Sequence, residues 1–316
     1  MKKNLYNSII IISLICFLIL ILTYSSAVIS AAIIAIDIWK KNIFTTLFPF
    51  FVITDLLINY GLVDILGKLT KKITRKLFHL PGDASFVIIG SMFSGFPSSS
   101  KLIKELLDKK KITISEAEYL LSFTHFSNPL FIMGVVGGIV LKSKVLALVI
   151  LISHIIGNFI ISFIIRGKHS FRYSEEDETK ISRKEKNSNF ITILTNSILK
   201  AINTLILLLG IITTFLIITS IIEKIFNINC FSLTIISGLL EITQGINKLS
   251  LLNISQLIKA TIITFFISFG GISIHCQVMS ILSDYDISYK NYLFSRICHA
   301  LISSTITYLI IYLFFT

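Results

Sequence analysis

Apolar runs near the ~20 residues that an α-helix needs to cross a hydrocarbon core recur along this chain. They cover residues 8–36, 43–66, 114–141, 145–165, 198–222, 254–282 and 292–315. What separates them cannot cover a soluble fold. Only 15% of the 316 residues are charged, against 54% hydrophobic, and the mean hydropathy is +0.85. A soluble domain carries roughly 25% charged residues to meet water. The pattern predicts an all-α polytopic membrane protein.

The net charge of +12, from 29 Lys+Arg and 17 Asp+Glu, does not indicate a nucleic-acid partner. A nucleic-acid reader gathers its basic residues on one face beside a reading motif. Here they punctuate apolar segments, the pattern of loops facing anionic lipid. Cys16, Cys230, Cys276 and Cys298 are scattered without a CxxC pair, and the six histidines are too dispersed to read as a metal site. No cofactor is expected. Lys2 and Lys3 before an apolar run resemble a signal peptide, but the apolar character continues through Ile36, which favours a retained first helix. Residues 8–36 would make a helix of about 43 Å, so it must tilt, protrude or break near Thr23–Ser26.

The charges also set a topology. With the amino end in the cytoplasm, 22 of the 29 Lys/Arg lie inside, leaving positions 40, 41, 142, 144, 224, 248 and 259 outside. Residues 67–80, basic and amphipathic, then lie on the membrane surface. The count works on one condition. The short apolar segment 86–96 must enter and leave on the same side, as a re-entrant element.

The order of span, short glycine-ended piece, broken span and span occurs twice. The expected organisation is an N-terminal transmembrane helix (1–42), a first repeat (43–165), a solvated cytoplasmic loop (166–196) and a second repeat (197–316). On this topology the repeats are inverted. Short or Gly/Pro-interrupted segments at matched places in inverted repeats point to a transporter's midplane site, although Gly and Pro also serve packing and kinking.

Four segments carry the candidate binding residues. In Ser94-Gly95-Phe96-Pro97-Ser98-Ser99-Ser100-Lys101, Gly95 and Pro97 interrupt a helix. The free N–H groups at the next helix start, with three hydroxyls and a lysine, suit an anion. The same residues also suit a plain helix cap with a snorkelling lysine. His125, Ser127, Asn128 and Pro129 make a polar break inside a span. Glu241, Thr243, Gln244 and Gly245 stand where the serine motif stands in the first repeat, and Glu241 in hydrocarbon requires pairing, hydration or protonation. Ser268, Gly270, Gly271 and Ser273 form the second break. Asp55 is a further intramembrane acid, either structurally paired or on the pathway. No GxSxG, HExxH, P-loop or Rossmann pattern occurs, so an enzyme is not expected.

Three runs together resemble a known group: Leu47-Phe-Pro49-Phe-Phe-Val-Ile-Thr-Asp55, Ser94-Gly-Phe-Pro97-Ser-Ser-Ser-Lys101, and Ser122-Phe-Thr-His-Phe-Ser-Asn128-Pro129-Leu-Phe. They are similar to the sporulation integral membrane proteins of the YlbJ (SpoVV) type, in the nucleoside-recognition or Gate domain group. The serine triplet departs from the Pro-x-Gly-(Ala/Ser)-Lys form associated with relatives, which leaves the local backbone geometry open. The resemblance implies export of a small anionic solute, dipicolinic acid, from the mother cell across the outer forespore membrane during sporulation. A nucleoside-like solute, or a non-transporting scaffold for spore assembly, are the alternatives. Partners are then the solute, the lipid bilayer and, as an open option, further copies of the chain.

Overall fold

The computed structural model describes residues 2–166, 189–226 and 230–315, and these contain helices and no strand. The expected loop at 166–196 falls mostly outside the described residues. Its ends are helical, because one helix stops at Arg166 and the next starts at Phe190.

Helix α1 (Lys2–Thr23) and helix α2 (Ser25–Ile38) meet at Tyr24, and their apolar parts are bent by 92°. The expected break near Thr23–Ser26 is present. The next expectation needs correcting. A π-helical stretch, Trp39–Phe44, carries α2 into α3 (Thr45–Asn59), so the chain is helical from residue 25 to 59 and no break falls at 42/43. Pro49 lies just beyond this stretch; its ring crowds the carbonyl of Thr45, the kind of contact that distorts a regular helix. The expected span 43–66 ends instead at Tyr60-Gly61, where Gly61 takes φ 87° and the chain bends by 80° into α4 (Leu62–Phe78). Helix α4 is amphipathic. It buries Val63, Gly67, Thr74 and Phe78 and leaves Ile65, Leu69 and Ile73 exposed beside its lysines, as a surface helix in lipid requires.

The re-entrant element is a helical hairpin rather than one short segment. Helix α5 (Ala84–Ser94) leads in and α6 (Ser98–Asp108) leads out, so the charged stretch from Lys101 begins inside the fold. Its two ends meet: Lys111 pairs with Asp83 at 3.0 Å and with Asp64, and Lys109 donates to the Ile58 carbonyl. Helix α7 (Ile114–Phe123) follows, then a non-helical stretch at 124–128, a π-helical stretch (Phe131–Val140) and α8 (Lys144–Arg166).

The same order returns in the second half. Helix α9 (Phe190–Ile225) is followed by a hairpin of α10 (Cys230–Leu240) and α11 (Ile242–Leu251). Then come α12 (Gln256–Phe269), interrupted at Gly270 before α13 (Gly271–Ile281), and finally α14 (Tyr289–Phe315). The arms of the second hairpin touch through glycine: a Cβ on Gly245 would lie 2.1 Å from the Gly238 Cα.

The two copies are inverted. The run 25–59 lies antiparallel to α9, with Asp55 at Ser197, Trp39 at Leu205 and Ala27 at Ser220. Packing between copies also exchanges in pairs. Helix α6 touches α13 as α11 touches the π-helical stretch 131–140, and α7 touches α14 as α12 touches α8. The first hairpin's base is tied to the amino half of α9 through Glu105 and Lys200, the second's to its carboxyl end through Lys248 and Glu223. At about 1.5 Å per residue, positions 200 and 223 stand about 35 Å apart, close to the thickness of a hydrocarbon core. The hairpins therefore enter from opposite faces.

Four helical runs are long and apolar enough to cross alone (α8, α9, α12–α13 and α14), and two bent pairs raise the number to six. Seven separate spans are not formed. Segment 114–141 is split at 124–128, and the expected crossings 8–36 and 43–66 become two bent pairs, 7–23 with 25–41 and 47–59 with 62–78. Trp39 is level with Leu205, which puts Lys40 and Lys41 part-way along α9 rather than beyond its outer end as the charge count had them.

In a background with the native cysteines replaced, single cysteines at 72 and 109 are expected to react with an impermeant reagent from one side, and one at 248 from the other. Gly245→Val should drive the arms of the second hairpin apart and cost about 1–3 kcal/mol, the usual range for overpacking, read as a lower melting temperature in detergent.

Candidate functional site

A cavity of about 240 Å³ opens where the hairpin tips and the first break converge. The first tip contributes Ser94, Phe96 and Pro97, the break contributes Ser127 and Asn128, and the second tip contributes Glu241, Ile242 and Thr243. Gln277 and Ile274 of α13, Lys41 of the π-helical stretch, and Leu208 and Ile212 of α9 close the sides. Leu208 and Ile212 lie midway between Lys200 and Glu223, so the cavity sits about half-way between the two hairpin bases.

Local sequence explains the convergence. Gly95 takes φ 78°, and a Cβ there would lie 2.4 Å from the Asn128 nitrogen, so only glycine lets the first tip seat on the break. Asn128 clips the two together, its Nδ2 donating to the Ser94 carbonyl and its Oδ1 accepting from the Leu130 N–H at 2.8 Å. At the second tip the Glu241 carboxylate accepts from the Gln244 N–H (2.9 Å) and the Thr243 hydroxyl (2.5 Å), capping α11. The favourable positive end of that helix is thereby occupied. Helix α6 has no side-chain cap at Pro97.

Several expected residues lie elsewhere. Ser98, Ser99 and Ser100 are buried in α6 away from the cavity, with Ser100 bonded to the Pro97 carbonyl. Lys101 places its Nζ 4.0 Å over the Phe51 ring. Gly245 packs on Gly238, while Pro129 and Gln244 are outside the lining. Asp55, 2% exposed, accepts from Ser197, Asn59 and Lys200, with Glu105 sharing Lys200 at 3.5 Å. It is structurally paired at the base of the first hairpin. A latch lies near that base, where Tyr285 donates to Asp108 at 2.6 Å; that bond and burial hold the phenol up at about 12.

His125, Ser268, Gly270, Gly271 and Ser273 belong to a second polar centre behind the first tip. The Phe96 ring stacks on His125 at 4.7 Å, and Gly270 lies against His125 Nε2. His154 accepts from the Ser127 N–H at Nε2 and so donates from Nδ1 to Ser268 Oγ. His299 donates from Nε2 to the His154 carbonyl and accepts from Arg296 at Nδ1 (3.0 Å). His275 donates from Nε2 to the Phe269 carbonyl, and Ser273 accepts from Gln277. Gly271 approaches the Leu240 and Gly238 carbonyls and joins this centre to the second hairpin. Arg296, His154 and His299 were not singled out in the sequence, although an ionisable residue within an apolar span carries a signal. Among the described residues no group of three metal-ligating side chains is placed to hold an ion.

Residues 41–166 match the family model described as Gate, nucleoside recognition. The chain is also 27% identical to the sporulation integral membrane protein YlbJ of Bacillus subtilis (strain 168) over 335 aligned positions, covering 94% of this chain and 81% of that protein. The resemblance to the YlbJ type therefore holds over nearly the whole chain. The Gate match ends with α8 and contains the first hairpin tip and the first break, whereas Glu241 and Arg296 lie in the half that only the YlbJ alignment covers. No solved structure matches.

Lys200→Met should leave the buried Asp55 with hydroxyl and amide donors but no cation. The expected destabilisation is about 1–3 kcal/mol, and a double variant with Asp55→Asn should recover part of it in the same detergent melting assay.

Proposed function

We propose that the protein is a transporter of a small anionic solute, with dipicolinic acid as its substrate, acting at the outer forespore membrane of a sporulating cell. The observation that carries this reading is the cavity half-way between two hairpins inserted from opposite faces, mostly apolar with a few polar groups from both tips and the first break. Binding at the point where inverted copies meet is how many secondary transporters place their site, and rocking of one copy against the other then exposes it alternately.

The cavity's chemistry supports a solute with a flat apolar face and polar edges. Phe96 and Phe131 offer rings, while Ser94, Ser127, Asn128 and Gln277 offer hydroxyl and amide groups. Drug-sized ligands occupy cavities of about 300–1,000 Å³, so the smaller space here favours a single-ring solute. The start of α6 carries no side-chain cap, so the positive end of its helix dipole favours negative charge there. Lys41 is also on the wall, but its side chain is exposed and its Nζ is paired with Asp37 at 3.4 Å, so it leaves the cavity without a free cation. YlbJ is named as a sporulation protein, and this supports the cellular setting.

One observation favours a second reading. Glu241 lines the same cavity, and the Asn128 and Gln277 amides suit the edge of a nucleobase, so a neutral nucleoside-like solute is the alternative, in keeping with the description of the matching domain.

Uptake into proteoliposomes separates the two. Radiolabelled dipicolinate should enter with the wild-type protein, and Asn128→Ala or Gln277→Leu should lower uptake about tenfold or more, as expected for losing a buried polar contact of 1–3 kcal/mol. Ser99→Ala, away from the cavity, should leave uptake near wild type. Uptake of uridine or adenosine with no dipicolinate movement would transfer the assignment to nucleosides. A protein that moves neither would be a scaffold.

A further inference from the structure

Arg296 is the largest fully buried side chain among the described residues, at 0% exposure within α14. Its two terminal nitrogens donate to His299 Nδ1 and to the Ser122 carbonyl, while Nε has no partner. Most other charged groups described inside the fold are paired: Asp55 has Lys200, Lys111 has Asp64 and Asp83, and Lys248 has Glu223, while Lys101, also without an ion pair, rests its Nζ on the Phe51 ring. Among the described residues no Asp or Glu forms an ion pair with Arg296. The surrounding imidazoles offer no compensation. His154 and His299 each accept one hydrogen bond and donate another, so both are neutral in this arrangement.

A guanidinium remains charged in a protein, and an unpaired buried charge costs several kcal/mol. A second orphan points the same way. His125 Nδ1 faces the Tyr292 hydroxyl at 3.1 Å, whereas its Nε2 is buried without a partner. When the tyrosine donates to Nδ1, Nε2 carries an unused N–H. The centre thus holds a full positive charge with no carboxylate beside it, and its unpaired polar atoms include Arg296 Nε, His125 Nε2 and Asn158 Oδ1.

It is one ring deep from the cavity. Phe96 lines the cavity and stacks on His125; His125 contacts Tyr292; and the Arg296 guanidinium lies 5.7 Å from the Tyr292 ring. On the far side, His275 sits 5.0 Å from Tyr292 and lines a more open pocket with Tyr285 and Tyr289. We propose that Arg296 and His125 form an inner site for the carboxylate of a small organic anion, reached from the cavity when the Phe96 ring leaves His125. This inference rests on reading the protein as an anion transporter and names the charge partner that the cavity lacks. A planar guanidinium with a free N–H matches a carboxylate edge, which lysine's point charge does not.

The test uses the full chain in detergent. Trp39 is the sole tryptophan and adjoins Ile38 of the cavity wall, so its fluorescence reports binding. Dipicolinate, its neutral diamide and chloride are the probes. Arg296→Gln should weaken dipicolinate binding about tenfold or more, the worth of one charge-assisted bond, with Arg296→Lys in between and diamide binding unchanged. Equal dipicolinate binding by Arg296→Gln, or equal loss of the diamide, would overturn the inner site while leaving the transport reading intact. Wild type that binds no dipicolinate would overturn both. Should Arg296→Gln fail to fold, phenylglyoxal modification of the wild-type protein, read by peptide mass spectrometry, decides. Protection of Arg296 by dipicolinate but not by the diamide supports the site. Protection by chloride alone, or no reactivity under any condition, overturns it.

Discussion

A backbone N–H or C=O left unpaired in hydrocarbon costs several kcal/mol, so a chain in a bilayer can abandon regular helix only where other protein or water shields it. The irregular backbone at mid-depth is gathered accordingly. The first tip seats on the first break through Gly95 and Asn128, that break bonds to α8 through His154, and His154 reaches Ser268 beside the second break. Each interruption shields another. The cavity is the space left where they meet, and the few polar groups in its mostly apolar lining follow from the same constraint, because hydroxyls and amides satisfy backbone groups as well as a solute.

The two copies solve this unequally. The first break spans residues 124–128, whereas the second is two left-handed glycines, Gly270 at φ 94° and Gly271 at φ 60°, between helices that otherwise continue. The first tip leaves α6 without a side-chain cap, and the second uses Glu241 to cap α11. Inverted repeats related by an approximate two-fold axis would place two equivalent helix starts at the centre. Here one is closed by the protein's own carboxylate. At the other, the Ser98 and Ser100 N–H groups are taken up by the Gly95 and Pro97 carbonyls, so a backbone turn closes what a side chain closes in the second copy.

Much of this was legible in the chain because lipid restricts the options. Apolar length gave the class, and the basic stretches on either side of 86–96 gave a re-entrant element. Glycine, proline and serine runs gave the tips and breaks at Gly95-Pro97, Ser127-Pro129, Glu241-Gly245 and Ser268-Gly271. The orientation of side chains on α6 was not legible. Ser98, Ser99, Ser100 and Lys101 occupy about one turn of a helix that is buried on nearly every side, and composition does not say which side faces the cavity. The joining of two expected spans through 39–44 was also hidden, since a polar Trp-Lys-Lys-Asn stretch reads as a loop until Trp39 is seen bonded to the Leu205 carbonyl across the helix pair. Arg296, His154 and His299 were masked by the serine-rich apolar spans around them.

The distribution of charge through the interior separates structural from functional groups better than burial does. Asp55 and Glu241 are both almost fully buried, yet the first has a lysine and two neutral donors and the second has a helix start. Removing either carboxylate would orphan its donors, so both are explained by the fold. Arg296 differs because its neighbours are a carbonyl and a neutral imidazole, which take its hydrogen bonds without neutralising its charge. Structural roles alone would be served by a neutral donor there, such as glutamine, without the desolvation cost of a cation. A permanent charge held at this depth is accounted for when the missing anion is the cargo, present in one part of the cycle and absent in the other.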